Sequence, residues 1–286
     1  MTGEIQTNLN NNKDQDSRFS VREFPWWLVA IIGFLLLMLL LIMTNPDYNR
    51  AFNFIKGGFG GIAGFQQGGL AGFIGTGITI TIYTTLVAFA IALVIGLLAG
   101  LGRVSTNVFV RNIAITYIEF IRGVPTLVLI FTVAFVIVPS VSSAIGISGQ
   151  SISTNARGIT ALAVIYGAFL AEVFRAGIES VPAGQTEAAR SLGLNGRQAM
   201  RYVVLPQAVR NVLPALGNDF IAMLKDSSLI SVLAVRDITQ MARLHAGSTF
   251  RFRESYLVLT FLYLSMTIAL SLILRWYEKR LRQNAR

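Results

Sequence analysis

At 286 residues, with 53% hydrophobic and only 13% charged side chains, the chain is too apolar for a soluble domain and long enough for several membrane spans. It has no cysteine, which excludes disulfides and thiolate metal sites, and a single histidine, His245, which leaves a histidine zinc site or a Ser-His-Asp triad little to work with. The formal net charge of +10 raises nucleic acid as a partner, but its placement along the chain argues otherwise.

Residues 1–25 form a cytoplasmic N-terminus whose first part, 1–17, is polar, asparagine-rich and predicted to be disordered. Apolar runs then recur at 26–43, 78–101, 115–138, 159–177, 209–235 and 256–275, each about as long as the roughly 20 residues that cross a bilayer. The pattern predicts an all-α polytopic membrane protein of about six transmembrane helices. The first run opens on the interfacial pair Trp26-Trp27 and ends before Asn45-Pro46-Asp47; it is too long for a signal peptide and has no small-residue cleavage site after it. With both termini inside, fifteen of the 24 basic residues fall in cytoplasmic segments and seven outside, although Arg236, Arg243, Arg251 and Arg253 run against the trend. Basic charge here encodes topology, and no nucleic-acid partner is expected.

A tract at 44–77 carries ten glycines from Gly57 to Gly77 and reads as an extracytoplasmic linker. No glycine-lysine-serine/threonine phosphate loop occurs in it or elsewhere. Phe59, Phe65, Leu70 and Phe73 instead suggest a flexible segment on the outer membrane interface. Charges inside apolar runs are expensive in lipid and must face protein or water. Glu119 and Arg122 are three apart and can pair on one helix face, just before Gly123 and Pro125 loosen the helix. Glu172, Arg175 and Glu179 form a second stripe. Both sets read as structural ion pairs or as a gate or relay.

That second stripe leads into a polar segment, 182–206. Pro182 suits a first helical turn, Glu187-Ala188-Ala189 continue it, and Gly193 can take the left-handed conformation that ends it. Asn195 and Gln198 offer a capping box for a second short helix that Pro206 closes, after Leu205. Two small helices about a glycine joint make a rigid knob for docking a soluble partner; an ordinary amphipathic connector is the plainer alternative. Further on, Lys225-Asp226-Ser227-Ser228 puts four polar residues in a row, which no single helix face can hold, so a broken helix lining a watery cavity is expected. Lysine and serine hydroxyls suit a carboxylate and aspartate an ammonium, so the four are a candidate substrate pathway; alternatively Lys225 and Asp226 neutralise each other. A membrane enzyme lacks support, since HExxH and GxSxG are absent.

The spacing of Glu187-Ala188-Ala189, Gly193 and Leu205-Pro206 resembles the EAA loop of permease subunits of bacterial ABC importers. Gly75 to Thr81, Tyr117-Ile118-Glu119-Phe120-Ile121-Arg122-Gly123-Val124-Pro125, Phe169 to Ile178 and Lys225 to Leu229 resemble the polar amino acid class of that family, from about residue 74 onward. Ala176-Gly177 stands where the family has a glycine pair. The resemblance implies a five-helix type I importer core over 78–275, with one added N-terminal helix at 26–43 and a basic cytoplasmic tail at 276–286. It implies no cofactor or metal on this chain, with ATP and magnesium on a partner ATPase subunit that docks on the EAA loop. It further implies an extracytoplasmic amino acid binding protein, a polar amino acid substrate, and a second permease, with a heteromer favoured over a homodimer. The setting is the bacterial inner membrane, with both termini cytoplasmic. An ion-coupled secondary transporter is the rival; it needs no docking knob and predicts an inverted repeat that the sequence lacks.

Overall fold

The computed structural model describes residues 26–58 and 75–283, and every regular element among them is helical. The N-terminal segment 1–25 and Phe59, Phe65, Leu70 and Phe73 of the glycine tract lie outside the described residues. Helix α1 (Trp26–Thr44) leaves Leu36, Leu40 and Met43 exposed, as a lipid-facing helix does. It is followed at once by α2 (Pro46–Lys56), bent from it by 103°. Asn45 starts α2 by accepting the Asp47 N–H at 2.9 Å, and Pro46 takes the first-turn place where its missing donor costs nothing. The span expected as linker from 44 therefore begins with a helix.

Helix α3 (Ile78–Arg103) is 26 residues and about 39 Å long, ample for the hydrocarbon core. Next come α4 (Val108–Gly123) and α5 (Thr126–Ala144), which share the apolar run expected as one span at 115–138. Pro125 offers no N–H and forces Val124 into an extended conformation (φ −112°, ψ 138°), so the helix stops and restarts. Helix α6 (Thr154–Glu179) is capped by Ser153. Then follow α7 (Ala183–Ser191), α8 (Gly196–Ala199), α9 (Leu205–Asp226), α10 (Ile238–Thr249) and α11 (Phe252–Gln283). Helix α11 continues to Gln283, through most of the segment expected as a separate tail.

Among the described residues four helices, α3, α5, α6 and α11, are long and apolar enough to cross a membrane, five if bent α1–α2 counts as one span. Of the six expected runs, 115–138 keeps a span in α5 although it is split, 26–43 passes only together with α2, and 209–235 falls short because α9 carries Asn211, Asn218, Asp219, Lys225 and Asp226.

The core centres on α3 and α6, which pack along most of their length. Ala88, Ala92, Ala161 and Ala168 are fully buried between helices. A Cβ on Gly96 would lie 2.7 Å from the Leu170 Cβ, and one on Gly100 2.8 Å from the Ala171 carbonyl oxygen. Small residues let two backbones approach where lipid supplies no hydrophobic drive for association. At the α3 N-terminus, Gly77 donates its N–H to the Arg236 carbonyl at 2.8 Å, and Thr81 Oγ accepts from the Ile238 N–H. Here a second apolar cluster joins Met38, Ile42, Tyr48 and Ile55 of α1 and α2 to Ile238, Val258 and Leu262 of α10 and α11. Asp47 and Arg251 form an ion pair over it.

Replacing Gly100 by leucine forces α3 off α6. The expected cost is about 1–3 kcal/mol, seen as earlier thermal aggregation of the detergent-purified protein. Unchanged thermal stability would mean that this contact is slack.

Candidate functional site

The segment after α6 folds as expected into two short helices about Gly193. The Leu194 N–H donates to the Ala189 carbonyl at 3.2 Å and the Gly193 N–H to the Arg190 carbonyl at 2.9 Å, with Gly193 at φ +86°. This is the Schellman ending of α7, which satisfies two orphan carbonyls at once. Asn195 and Gln198 then bond reciprocally, each side chain accepting the other's N–H at 2.9 Å. Both motifs are set by neighbours in sequence, so the hairpin is stiff without help from the rest of the fold. Its root is an apolar patch of Ile178, Val181, Val204 and Ala208, reinforced by Asn211 Nδ2 donating to Ser180 Oγ at 2.8 Å. Ala189 and Ala199 are buried, Glu187 and Ala188 face outward, and Leu192 at the joint is 84% exposed.

Pro206 does not end the second short helix. A π-helical segment, Met200–Val204, carries α8 into α9, and Pro206 sits in the first turn of α9 beside Leu205. Proline is as comfortable opening a helix as following one, because first-turn N–H groups are unpaired anyway.

Five charges gather at the root of the hairpin. Arg103, the last residue of α3, pairs with Glu172 on α6 and lies 3.5 Å from Glu119 on α4. Glu172 holds Arg175 at 3.0 Å, and Arg175 pairs with Glu179, the last residue of α6. The Glu172–Arg175–Glu179 stripe thus forms as its spacing predicts. The expected Glu119–Arg122 pair does not. The short α3–α4 connection brings Arg103 alongside Glu119, while Arg122 is exposed in the last turn of α4, where its charge complements the helix carboxyl end.

The polar quartet breaks its helix: α9 ends at Asp226 and a tighter 3₁₀ segment, Ser227–Leu233, follows. Its members part company. Asp226 Oδ2 accepts the Tyr166 hydroxyl of α6 at 2.8 Å, and buried Ser227 donates to the Leu224 carbonyl at 2.7 Å. Lys225 and Ser228 instead line an open groove of about 440 Å³ against α10 and α11, where Thr239, Thr260, Tyr263 and Thr267 supply hydroxyls. Lys225 and Asp226 form no ion pair, since consecutive helical residues point about 100° apart. Among the described residues no cluster of candidate ligands could hold a metal ion.

Sequence reasoning passed over Arg103, Tyr166, Asp219 and Asp237. Asp219 lies inside the 209–235 run with its Oδ2 buried and unpartnered, and an intramembrane carboxylate is itself a signal. Asp237, fully buried, caps α10 by accepting the Gln240 N–H at 2.8 Å. Burial pushes its carboxyl from the ordinary 3.8 up to about 7, over the opposing pull of its hydrogen bonds. A raised acid is stabilising while protonated, so its contribution is complete below pH 3.8 and is lost as pH rises through about 7. Asp237→Asn keeps the cap and should flatten the fall in thermal stability across that window; an unaltered profile would contradict the assignment.

The arrangement has counterparts. Residues 92–283 match the model of the family described as binding-protein-dependent transport system inner membrane component. The chain is 35% identical to the probable glutamine ABC transporter permease protein GlnM of Bacillus subtilis, over 71% of this chain and 91% of that one. It is 31% identical to the histidine/lysine/arginine/ornithine transport system permease protein HisQ of Escherichia coli, over 74% and 94%. A solved amino acid ABC transporter with histidines superposes at TM-score 0.64 and 39% identity, over 71% of this chain and 92% of that one. The inward-facing MetNI methionine ABC transporter, at 20% identity and TM-score 0.60, covers 72% and 94% and shares the fold.

Proposed function

The chain belongs to the family of binding-protein-dependent transport system inner membrane components, and on that premise we propose that it is the permease subunit of an ABC importer that moves polar L-amino acids across the bacterial inner membrane. The observation that carries this reading is the preformed hairpin of α7 and α8. Glu187 and Ala188 give its outer surface, buried Ala189 packs its inner side and Gly193 forms the joint, while Leu205 and Pro206 start the helix that carries its movement onward. The exposed Leu192 at its tip suits a groove on a soluble ATPase subunit, which would hold the ATP and magnesium. The similar proteins named above are all ABC permeases or transporters, so the ion-coupled alternative has no support among them.

The hairpin lies at the α3 C-terminal end, and α2, α10 and the start of α11 lie about 39 Å away at its N-terminal end. With both termini cytoplasmic, the hairpin faces the ATPases and the far end faces an extracytoplasmic binding protein. ATP favours one arrangement of the ATPases; hairpins moving with them reorient the helices, so energy enters as differential affinity for two states. The break after Asp226 is the substrate-pathway candidate. Lys225 and Ser228 offer a cation and a hydroxyl to a carboxylate in the groove, while Asp226, already satisfied by Tyr166, and Ser227 shape the break itself. A second permease completes the pore, and an unlike partner allows a single asymmetric site.

Gly193 gives the first test. A Cβ there meets no neighbour, so any penalty is purely conformational. Gly193→Val should be inserted yet lose ATPase co-purification or uptake, while Gly193→Asn, which tolerates the left-handed region, should retain much of both. Normal transport by the valine variant would remove the docking role of this joint. In the groove, Lys225→Met should raise the KM for uptake about tenfold or more, the range for losing a hydrogen bond to a charged group. An unchanged KM would take Lys225 out of the pathway.

A further inference from the structure

Among the described residues, Arg103 at the end of α3 is the one that ties α3, α4 and α6 together by charge. It stands between Glu119 and Glu172, and through Glu172 it continues to Arg175 and Glu179. The charges alternate in sign along this chain, which starts on α4 and ends three residues before Pro182 begins the hairpin. The side chains are partly exposed, Glu119 and Glu179 more than half, so such pairs add little to the stability of the fold. Stability is supplied instead by the dry contact of Gly96 and Gly100 with α6. What the charges can supply is direction. The guanidinium is a planar fork that can hold two carboxylates in fixed relation, which a point charge on a flexible stem does not do.

We propose that Arg103 is a positioning residue for coupling: by joining Glu172 to Glu119 it fixes the end of α6 against α3 and α4, so that displacement of the hairpin moves those helices rather than being absorbed at Ser180–Pro182. The proposal rests on the reading of the hairpin as the ATPase contact. Without Arg103, Glu119 and Glu172 lose their shared partner, and the α6 end is held to α3 by non-directional packing, such as Gly100 against Ala171 and Phe174. The apolar patch at the hairpin root belongs to α6, its connection and α9, so it cannot replace a link to α3 and α4.

The test uses the full transporter reconstituted with its ATPase subunits and binding protein, and reads amino acid taken up per ATP hydrolysed. Arg103→Gln should keep its ATPase stoichiometry on purification while that ratio falls about threefold or more, as for a residue on a coupling route. Arg103→Lys keeps the charge without the fork and should recover part of the ratio. Glu119→Gln, at a largely exposed side chain where folding is not at stake, should lower the ratio in the same direction. A wild-type ratio in both Arg103→Gln and Glu119→Gln overturns the proposal, as does a fall in the ratio that comes with loss of ATPase subunits from the purified Arg103→Gln complex. Failure of the underlying reading is distinguishable: Gly193→Val would then couple normally while Arg103→Gln did not.

Discussion

The close approach of α3 to α6 is the contact on which the rest of this molecule depends. In water, two apolar helices are driven together by burial; in lipid that force is absent, and association relies on how near the backbones can come. Gly96 and Gly100 bring α3 against Leu170 and Ala171, and a row of buried alanines continues the contact. Because the two helices meet in parallel, their C-terminal ends coincide. That coincidence sets Arg103 beside Glu172 and places the hairpin directly beneath both.

Several polar and helix-breaking residues mark the discontinuities. Pro125 separates α4 from α5, Asn45 and Pro46 turn α1 into α2, and the quartet at 225–228 converts α9 into a 3₁₀ segment. Each break frees backbone groups that lipid could not satisfy; at the α1–α2 bend the Asn45 side chain takes one of them, and the break after Asp226 opens on a groove. The break at 225–228 sends Asp226 toward α6 and Lys225 toward α11, joining the groove to the central helix pair through Tyr166.

What was legible in the sequence follows the range of the interaction. The α7–α8 hairpin depends on neighbours within a few residues, so Gly193, Asn195 and Gln198 could be read directly, and so could the Glu172–Arg175–Glu179 stripe. Hydropathy found the long apolar helices but merged α4 with α5, because an average over twenty residues does not see one proline. It also missed α2, whose composition is too polar for a span, although Asn45 and Pro46 carried a helix-start signal. Glu119 was paired wrongly because Arg103, its actual neighbour, is brought in by tertiary packing, and helical spacing offers only the local partner Arg122. Tyr166 escaped for the same reason: nothing in its surroundings marks it as the partner of a residue sixty positions away.

The absence of cysteine from the chain permits a direct test of the central claim, that the hairpin is where the ATPase engages. Leu192→Cys and, at the other end of the structure, Leu244→Cys each create a single exposed thiol. In membranes containing the whole transporter, a short thiol-directed cross-linker should join Leu192→Cys to the ATPase subunit, with a yield that changes on adding ATP, and should leave Leu244→Cys unjoined to it. No cross-link from Leu192→Cys, or an equal one from Leu244→Cys, would contradict the account.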